Sequence, residues 1–315
     1  MDVREAILRY IKNPRKLIRA LGNKNFFNWM PDIPYLKMIF YYETGKRLDI
    51  NNPCTFNEKL QWLKIYDKNP LYNMFVDKYE VREHISKTIG SEYLIPLYGI
   101  WDKVDEIDFN KLPESFALKC THGSTSNIIC RSKENLSIID AKESLNKWLR
   151  KNWYWFGREW PYKDVRPRIM AEKYMTDETD AELMDYKIFC FNGVPKIIQV
   201  HFNRHSNHKA NFYDTDWNYV PISTRYQPDP KTVINKPEHF DDMLSLASKL
   251  SLGLPYIRVD FYSIFNKLYF GELTLYPASG FGVISPEEWD RTFGNWVDTR
   301  LAYSKKTKSR INKVQ

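Results

Sequence analysis

Residues 256–277, YIRVDFYSIFNKLYFGELTLYP, alternate with the period of a strand. Ile257, Val259 and Phe261 fall on one face, and Arg258, Asp260 and Tyr262 on the other. Phe265-Asn266-Lys267 reads as a three-residue hairpin loop, with Asn tolerating the left-handed conformation such loops need. Pairing Ile264 with Leu268 then sets Asp260 opposite Glu272 and Arg258 opposite Thr274, provided that no bulge shifts the register. Like charges face to face destabilise a sheet, and carboxylates are seldom fully buried without a partner. The pattern therefore asks for a cation, and a divalent metal ion would offset the repulsion.

Short apolar runs bounded by turn residues predict further strands at PLYGIWD, SFALKC, NIIC and RIMAEKYM. DYKIFCFNGVPKIIQVHF predicts two more, folded back at Asn192-Gly193. Helical spacing dominates roughly the first hundred residues. TFNEKLQWLKIY opens with a capping box from Thr55 to Glu58, and MFVDKYEVREHISKTIG reads as one helix closed by Gly90. DAKESLNKWLRKN, PEHFDDMLSLASKL and SPEEWDRTFGNWV supply later helices. Hairpin-joined strands segregated from helices predict an α+β fold with largely antiparallel sheets, since a doubly wound chain would alternate the two.

Composition narrows the class without naming a function. The 315 residues suffice for about two domains, and 43% hydrophobic with 27% charged residues is ordinary for a globular core. No apolar run reaches the roughly 18 residues that cross a bilayer, and charges interrupt the N-terminus where a signal peptide would be apolar. Cys54, Cys120, Cys130 and Cys190 lack CxxC spacing and read as reduced packing residues of a cytoplasmic protein. A net charge of +8 points to an anionic partner. Nucleic acid fits poorly, because the basic residues are dispersed and no recognised module is present. RYIKNPRKLIRALGNK and SKKTKSRINK hold much of the excess at the two ends. A solvated helix face and a frayed tail account for both; peripheral contact with the inner membrane surface is the alternative, at about 1 kcal/mol per basic residue.

Several motifs offer chemistry. FALKCTHGSTSNIICR carries Lys119 into a Gly/Ser/Thr loop whose backbone N–H groups could converge on a phosphate, although no Walker sequence is present. A polar hairpin with one exposed lysine fits the same residues. Asp185 and Lys187 share one strand face, and Glu172 and Tyr174 interrupt an apolar strand. His201, His205 and His208 lack an HExxH pattern and a fourth ligand, so they read as a polar loop near substrate rather than a metal site. Trp153, Tyr154, Trp155, Trp160 and Tyr162 are either sugar-stacking surfaces or ordinary packing. Lysines for phosphate oxygens and carboxylates for a hard cation together match a nucleoside triphosphate with Mg²⁺.

The order FALKCTHGSTS, AEKY, DYKIFCFNG, RVDFY and GELTLYP resembles the ATP-grasp superfamily. NPCTFNEKLQWLKIYDKNPLY, DKYEVREHI, REWPYKDVRPRIMAEKY and FGELTLYPASGF are similar to its TupA-like group, which is linked to teichuronopeptide and other surface-polysaccharide biosynthesis. The resemblance runs from about residue 30 to 298. It implies an ATP-grasp fold of two α+β subdomains gripping ATP behind a mainly helical N-terminal region. The expected boundaries are 1–92 for the helical region, 93–302 for the core (110–172 and 173–302 as subdomains) and 303–315 for a basic tail.

The same resemblance implies roles. Lys119 would meet the α-phosphate side, with Gly123, Ser124 and Ser126 in the loop over the phosphates. Glu172, Lys173 and Tyr174 would form the adenine-binding strand. Lys187 would sit near the terminal phosphates, and Asp185 near the ribose or orienting that lysine. Asp260 and Glu272 would ligate Mg²⁺, with Thr274 where many members have Asn, and Arg258 would stabilise the transferred phosphoryl group. Arg204, Asn211 and Ser279 would lie on the substrate side. The implied reaction is ATP- and Mg²⁺-dependent carboxylate–amine ligation through an acyl phosphate. The carboxylate would be a uronic acid of capsule, O-antigen or cell-wall polysaccharide, presented as a sugar or sugar nucleotide, and the amine an amino acid or amino alcohol. A metal-dependent glycosyltransferase and an ATP-grasp phosphotransferase are the alternatives.

Overall fold

The structure, a computed structural model, describes residues 14–176, 183–204, 206–265 and 267–303. His205, Asn266, the first part of the basic N-terminal segment and all but the first residue of the expected tail lie outside them. Helices α1 (Pro14–Asn23), α2 (Asp32–Thr44), α3 (Phe56–Tyr66), α4 (Tyr72–Val76) and α5 (Val81–Thr88) precede the first strand. The predicted capping box starts α3: Glu58 N–H donates to Thr55 Oγ1 at 3.3 Å, and Thr55 N–H donates to Glu58 Oε2 at 2.9 Å. The single helix expected over MFVDKYEVREHISKTIG is instead broken between α4 and α5. Asp77 is the cause: its Oδ1 accepts from Tyr79 N at 2.8 Å and Glu80 N at 3.2 Å, a local turn that competes with the helix. The break lets the Lys78 backbone N–H donate to Thr121 O at 3.0 Å.

Strands β1 (Leu97–Trp101), β2 (Phe116–Cys120) and β3 (Asn127–Cys130), helices α6 (Ile138–Leu149) and α7 (Tyr154–Gly157), and β4 (Ile169–Lys173) follow. Strand order is β1-β4-β2-β3, with every pairing antiparallel. α6 buries Leu145 against Phe116, Leu118 and Ile169 of this sheet in a small core of its own. β5 (Asp185–Phe191), β6 (Val194–Phe202), β7 (Lys209–Tyr213) and β8 (Tyr219–Val220) come next, then α8 (Phe240–Ser251), β9 (Tyr256–Ile264), β10 (Lys267–Thr274) and α9 (Glu287–Trp296). They build an antiparallel sheet of order β10-β9-β5-β6-β7-β8. β7 is not among the predicted strands: beyond the histidines that read as a polar loop, Ala210 and Phe212 are fully buried and pair with β6.

The predicted Asn192-Gly193 hairpin is present, with both residues at positive φ (53° and 82°), as a type I′ turn requires. α8 covers the larger sheet through Phe240, Met243, Ala247 and Leu250, an i, i+3, i+7, i+10 stripe. α1 and α2 form a third cluster that closes on Phe281, downstream of β10. Among the cysteines, Cys120, Cys130 and Cys190 are buried as expected, whereas Cys54 is exposed.

The β9–β10 hairpin reaches the expected pairing by another route. Ile264 pairs with Lys267 rather than Leu268, one residue off the predicted register. A bulge between Phe270 and Glu272 then takes up the difference, so that Glu272 lies opposite Asp260 and Thr274 opposite Arg258. Gly271 is the extra residue, and a Cβ there would meet the Asp260 carbonyl at 3.1 Å. A bulge between Leu97 and Gly99 similarly bends β1.

Candidate active site

The larger sheet brings β5, β9 and β10 side by side, and their polar faces merge. Lys187 pairs with Asp260 in register, and Asp185 with Tyr262. Lys187 Nζ lies 2.6 Å from Asp185 Oδ2 and also bonds Asp260 Oδ2. Arg204 reaches Asp185 from the end of β6. Arg258 donates from Nε to Asp260 Oδ1 at 2.7 Å and from Nη2 to Asp260 Oδ2 at 2.7 Å, Glu272 Oε1 at 2.8 Å and Thr274 Oγ1 at 3.0 Å. The Thr274 hydroxyl donates to Glu272 Oε1 at 3.0 Å. Burial opposes the Arg258 charge, but Asp260 and Glu272 outweigh it and hold the guanidinium protonated.

One guanidinium thus bridges the two carboxylates that the register sets opposite each other. Asp260 and Asp185 are almost fully buried, and Asp185 Oδ1 has no hydrogen-bond partner. The donor set suits a hard cation: the two carboxylates and the hydroxyl would supply oxygen ligands to Mg²⁺. Among the described residues no group of three or more His, Cys, Asp or Glu side chains could hold a metal unaided. His201 and His208 form a hydrogen-bonded pair at 2.8 Å, Nδ1 to Nε2, with His208 stacked on Tyr226.

A second polar cluster lies on the smaller sheet. Glu172 on β4 accepts from Lys119 Nζ at 2.7 Å and from Arg82 Nη1 at 3.0 Å, so its carboxylate is buried between two cations. Lys173 points to solvent, and Tyr174 lies under Arg131 at 5.9 Å. In the loop after β2, Gly123 and Ser126 are buried and Ser124 is exposed. Ser126 Oγ donates to Ser124 O at 3.2 Å. Lys78, delivered by the α4–α5 break, donates from Nζ to Gly123 O. Burial draws the Lys78 ammonium below the usual lysine range, with Glu272 opposing that shift and Lys119 adding to it. The sequence reading missed Lys78 because it falls inside what reads as a helix; the signal was the Asp77-Lys78 pair near its start.

A cavity of about 730 Å³ connects these parts. Ser124, Arg258, Glu272, Thr274 and Ser279 all line it, as do Trp153, Trp155, Glu159 and Tyr162. The aromatic cluster therefore divides. Trp153, Trp155 and Tyr162 face the cavity, whereas Tyr154 donates to Asp32 at 2.6 Å and Trp160 donates from Nε1 to Asp67 O at 2.9 Å. Trp153 also crowds the phosphate-type loop: a Cβ on Gly123 would lie 1.9 Å from its indole nitrogen. Asn211 is not brought to the cavity; its amide exchanges two 2.8 Å hydrogen bonds with the Asp229 backbone.

Beneath the cavity lies a buried lysine that the sequence did not flag. Lys64 Nζ on α3 contacts Gln61 Oε1 at 3.0 Å, Gly157 O at 2.7 Å, Ser279 O at 2.7 Å and Ser279 Oγ at 3.1 Å. Ala278 and Ser279 both hold positive φ (48° and 54°), a strained turn that these bonds stabilise. Gly157 is required by close approach, since a Cβ there would meet Ser279 Oγ at 2.1 Å.

The family model described as TupA-like ATPgrasp matches residues 58–298. A comparison with curated proteins finds no match. Among solved structures, D-alanine–D-alanine ligase from Bacillus anthracis is 17% identical with a TM-score of 0.41, over 68% of this chain and 63% of that one. Biotin carboxylase from Campylobacter jejuni is 11% identical with a TM-score of 0.42, over 74% of this chain and 47% of that one. N5-carboxyaminoimidazole synthetase from Staphylococcus aureus is 12% identical with a TM-score of 0.37, over 64% and 44%. The chain spans just under two thirds of the Bacillus ligase, at 63%. With the family model extending over well more than half of its residues, the chain belongs to the TupA-like ATP-grasp family.

Proposed function

We propose that the chain is an ATP- and Mg²⁺-dependent carboxylate–amine ligase that forms an amide on a uronic acid of a surface polysaccharide, with an amino acid or amino alcohol as donor. The observation that carries the chemistry is the Lys187–Asp260–Arg258–Glu272–Thr274 network opening into the same cavity as the Ser124 loop. The substrate class follows from the family's link to surface polysaccharides. Asp260 and Glu272 would hold Mg²⁺, which when bound draws charge off the phosphate oxygens. Lys78 and Lys119 flank the loop that would cover the phosphates, and Lys187 and Arg258 present positive charge where the terminal phosphoryl group would pass. Catalysis then rests on positioning and fixed charge rather than on a protein nucleophile. A carboxylate oxygen of the acceptor attacks the γ-phosphorus, the bridging P–O bond breaks, and ADP leaves with the electron pair. The amine nitrogen next attacks the acyl carbon, the C–O bond to phosphate breaks, and inorganic phosphate departs.

Thermal unfolding with Mg²⁺–ATP, against UDP-sugars, tests the nucleotide half directly. Ligand at about a hundred times its Kd adds roughly 2.7 kcal/mol, a shift of a few degrees for a chain of this length. The expected shift requires both ATP and Mg²⁺ and disappears in Asp260→Asn. A shift with a UDP-sugar and none with ATP would overturn the ligase reading in favour of a glycosyltransferase.

A further inference from the structure

Glu159 is a cavity carboxylate that no part of the proposed nucleotide chemistry uses. It follows α7, is partly exposed, and lines the cavity together with Arg258, Glu272 and Thr274. Lys64 donates to Ser279 Oγ at 3.1 Å, and a Cβ on Gly157 would meet both Ser279 Oγ at 2.1 Å and Glu159 Oε1 at 2.8 Å, so the two side chains flank the same glycine. Glu159 therefore lies beside the contacts of a fully buried ammonium. All four polar contacts of Lys64 are acceptors, so its three protons are spent on neutral groups and none reaches the carboxylate. Lys64 acts on Glu159 only as a nearby positive charge. Burial pushes the Glu159 carboxyl above its ordinary value, with the Lys64 charge opposing that rise.

The cavity's own cations are committed elsewhere. Arg258 is held by Asp260 and Glu272, Arg19 lies 3.8 Å from Glu43, Lys151 caps the Trp153 ring at 3.6 Å, and Arg225 lies over Tyr226. Tyr162 and Glu272 line the same cavity as Glu159. Trp155, Phe156 and Tyr162 complete the wall around it. An anionic group within aromatic walls, with no cavity cation on it, is built for a cationic ligand with a short organic body.

We infer that Glu159 binds the ammonium group of the amine donor and takes its proton before attack. This inference rests on the ligase reading above and names the donor's subsite. The donor enters as R–NH₃⁺ and passes one proton to the Glu159 carboxylate. Its freed lone pair forms the C–N bond as the acyl C–O bond breaks, and the departing phosphate carries away the electron pair and the second nitrogen proton. Ser279 and Lys64 are positioning residues, holding the wall of the cavity beside the carboxylate.

Calorimetric titration of the full chain, first with Mg²⁺–AMPPNP and then with ethanolamine, glycinamide or L-lysine, tests this without knowledge of the acceptor. Wild type is expected to take up at least one of these amines, and Glu159→Gln to weaken it about tenfold or more while its Kd for Mg²⁺–AMPPNP stays unchanged. Glu159→Asp, which keeps the charge, is expected to retain part of the affinity. In turnover assays hydroxylamine, largely unprotonated at neutral pH, is expected to rescue Glu159→Gln more than ethanolamine does. Equal amine affinity in Glu159→Gln, or nucleotide-loaded wild type that takes none of the three amines, would overturn the inference and leave the ATP reading standing. Failure of wild type to bind Mg²⁺–AMPPNP would sink that reading instead.

Discussion

The two ends of the cavity are built by different means. The proposed nucleotide end is made of neighbouring strands: Lys187, Asp260 and Glu272 face one another because β5, β9 and β10 pair in register. The acceptor end has no such lattice. Lys64, Gly157, Glu159 and Ser279 come from α3, the end of α7, the segment after it and a tight turn, and one buried ammonium ties Lys64, Gly157 and Ser279 together. A sheet distributes the cost of ordering charged groups over its backbone ladder. A loop assembly concentrates that cost in a few polar contacts. The nucleotide end should therefore tolerate single changes in stability while losing ligand, and the acceptor end should lose both.

Lys64→Met is the largest expected break. It leaves the Gly157 and Ser279 carbonyls without their Lys64 donor, and each buried polar group left unsatisfied costs about 1–3 kcal/mol. Chemical denaturation measures it, and a loss below about 1 kcal/mol would mean that packing rather than Lys64 holds the acceptor end.

His201 gives the matching probe on the nucleotide side. It is buried, and burial first, then the charges of Lys187, Arg204, His208 and Arg258, holds its folded pKa down to about 2. The folded state therefore resists a proton that the unfolded chain accepts below its ordinary value of about 6.5. Stability from this residue is complete above that pH and is lost as pH falls towards the folded value, by at most about 1.4 kcal/mol per pH unit. Denaturation midpoints taken at several pH values should show a shallower acid decline in His201→Asn than in wild type. Parallel slopes would show that acid sensitivity lies in the carboxylates alone.

Thr55→Ala is the mildest test. It removes the cap of the helix that carries Gln61 and Lys64, and caps of this type are worth about 1 kcal/mol. A thermal midpoint lowered by a few degrees, with Mg²⁺–ATP affinity unchanged, fits the division of the cavity. An equal loss of nucleotide affinity would mean that the two ends are one cooperative unit.

The sequence by itself determined what is periodic or local. Alternation in residues 256–264 and 185–191 put Asp260, Arg258, Asp185 and Lys187 on shared faces, and Thr55 with Glu58 fixed where α3 begins. Even the misread turn after Ile264 did not spoil the Asp260–Glu272 pairing, because the Gly271 bulge restored it. Periodicity survives such errors because strand neighbours are set every second residue. Only the tertiary structure decided the rest. Asp77 broke a run that reads as helix and sent Lys78 to the Gly123 loop, through hydrogen bonds that a periodicity count does not see. Lys64 reads as an ordinary helix-surface lysine, yet it is 1% exposed. What buries it are Gly157 and Ser279, at sequence separations of 93 and 215 residues. Helical spacing cannot report a counter-group that lies on another element, and a buried charge is defined by that group alone.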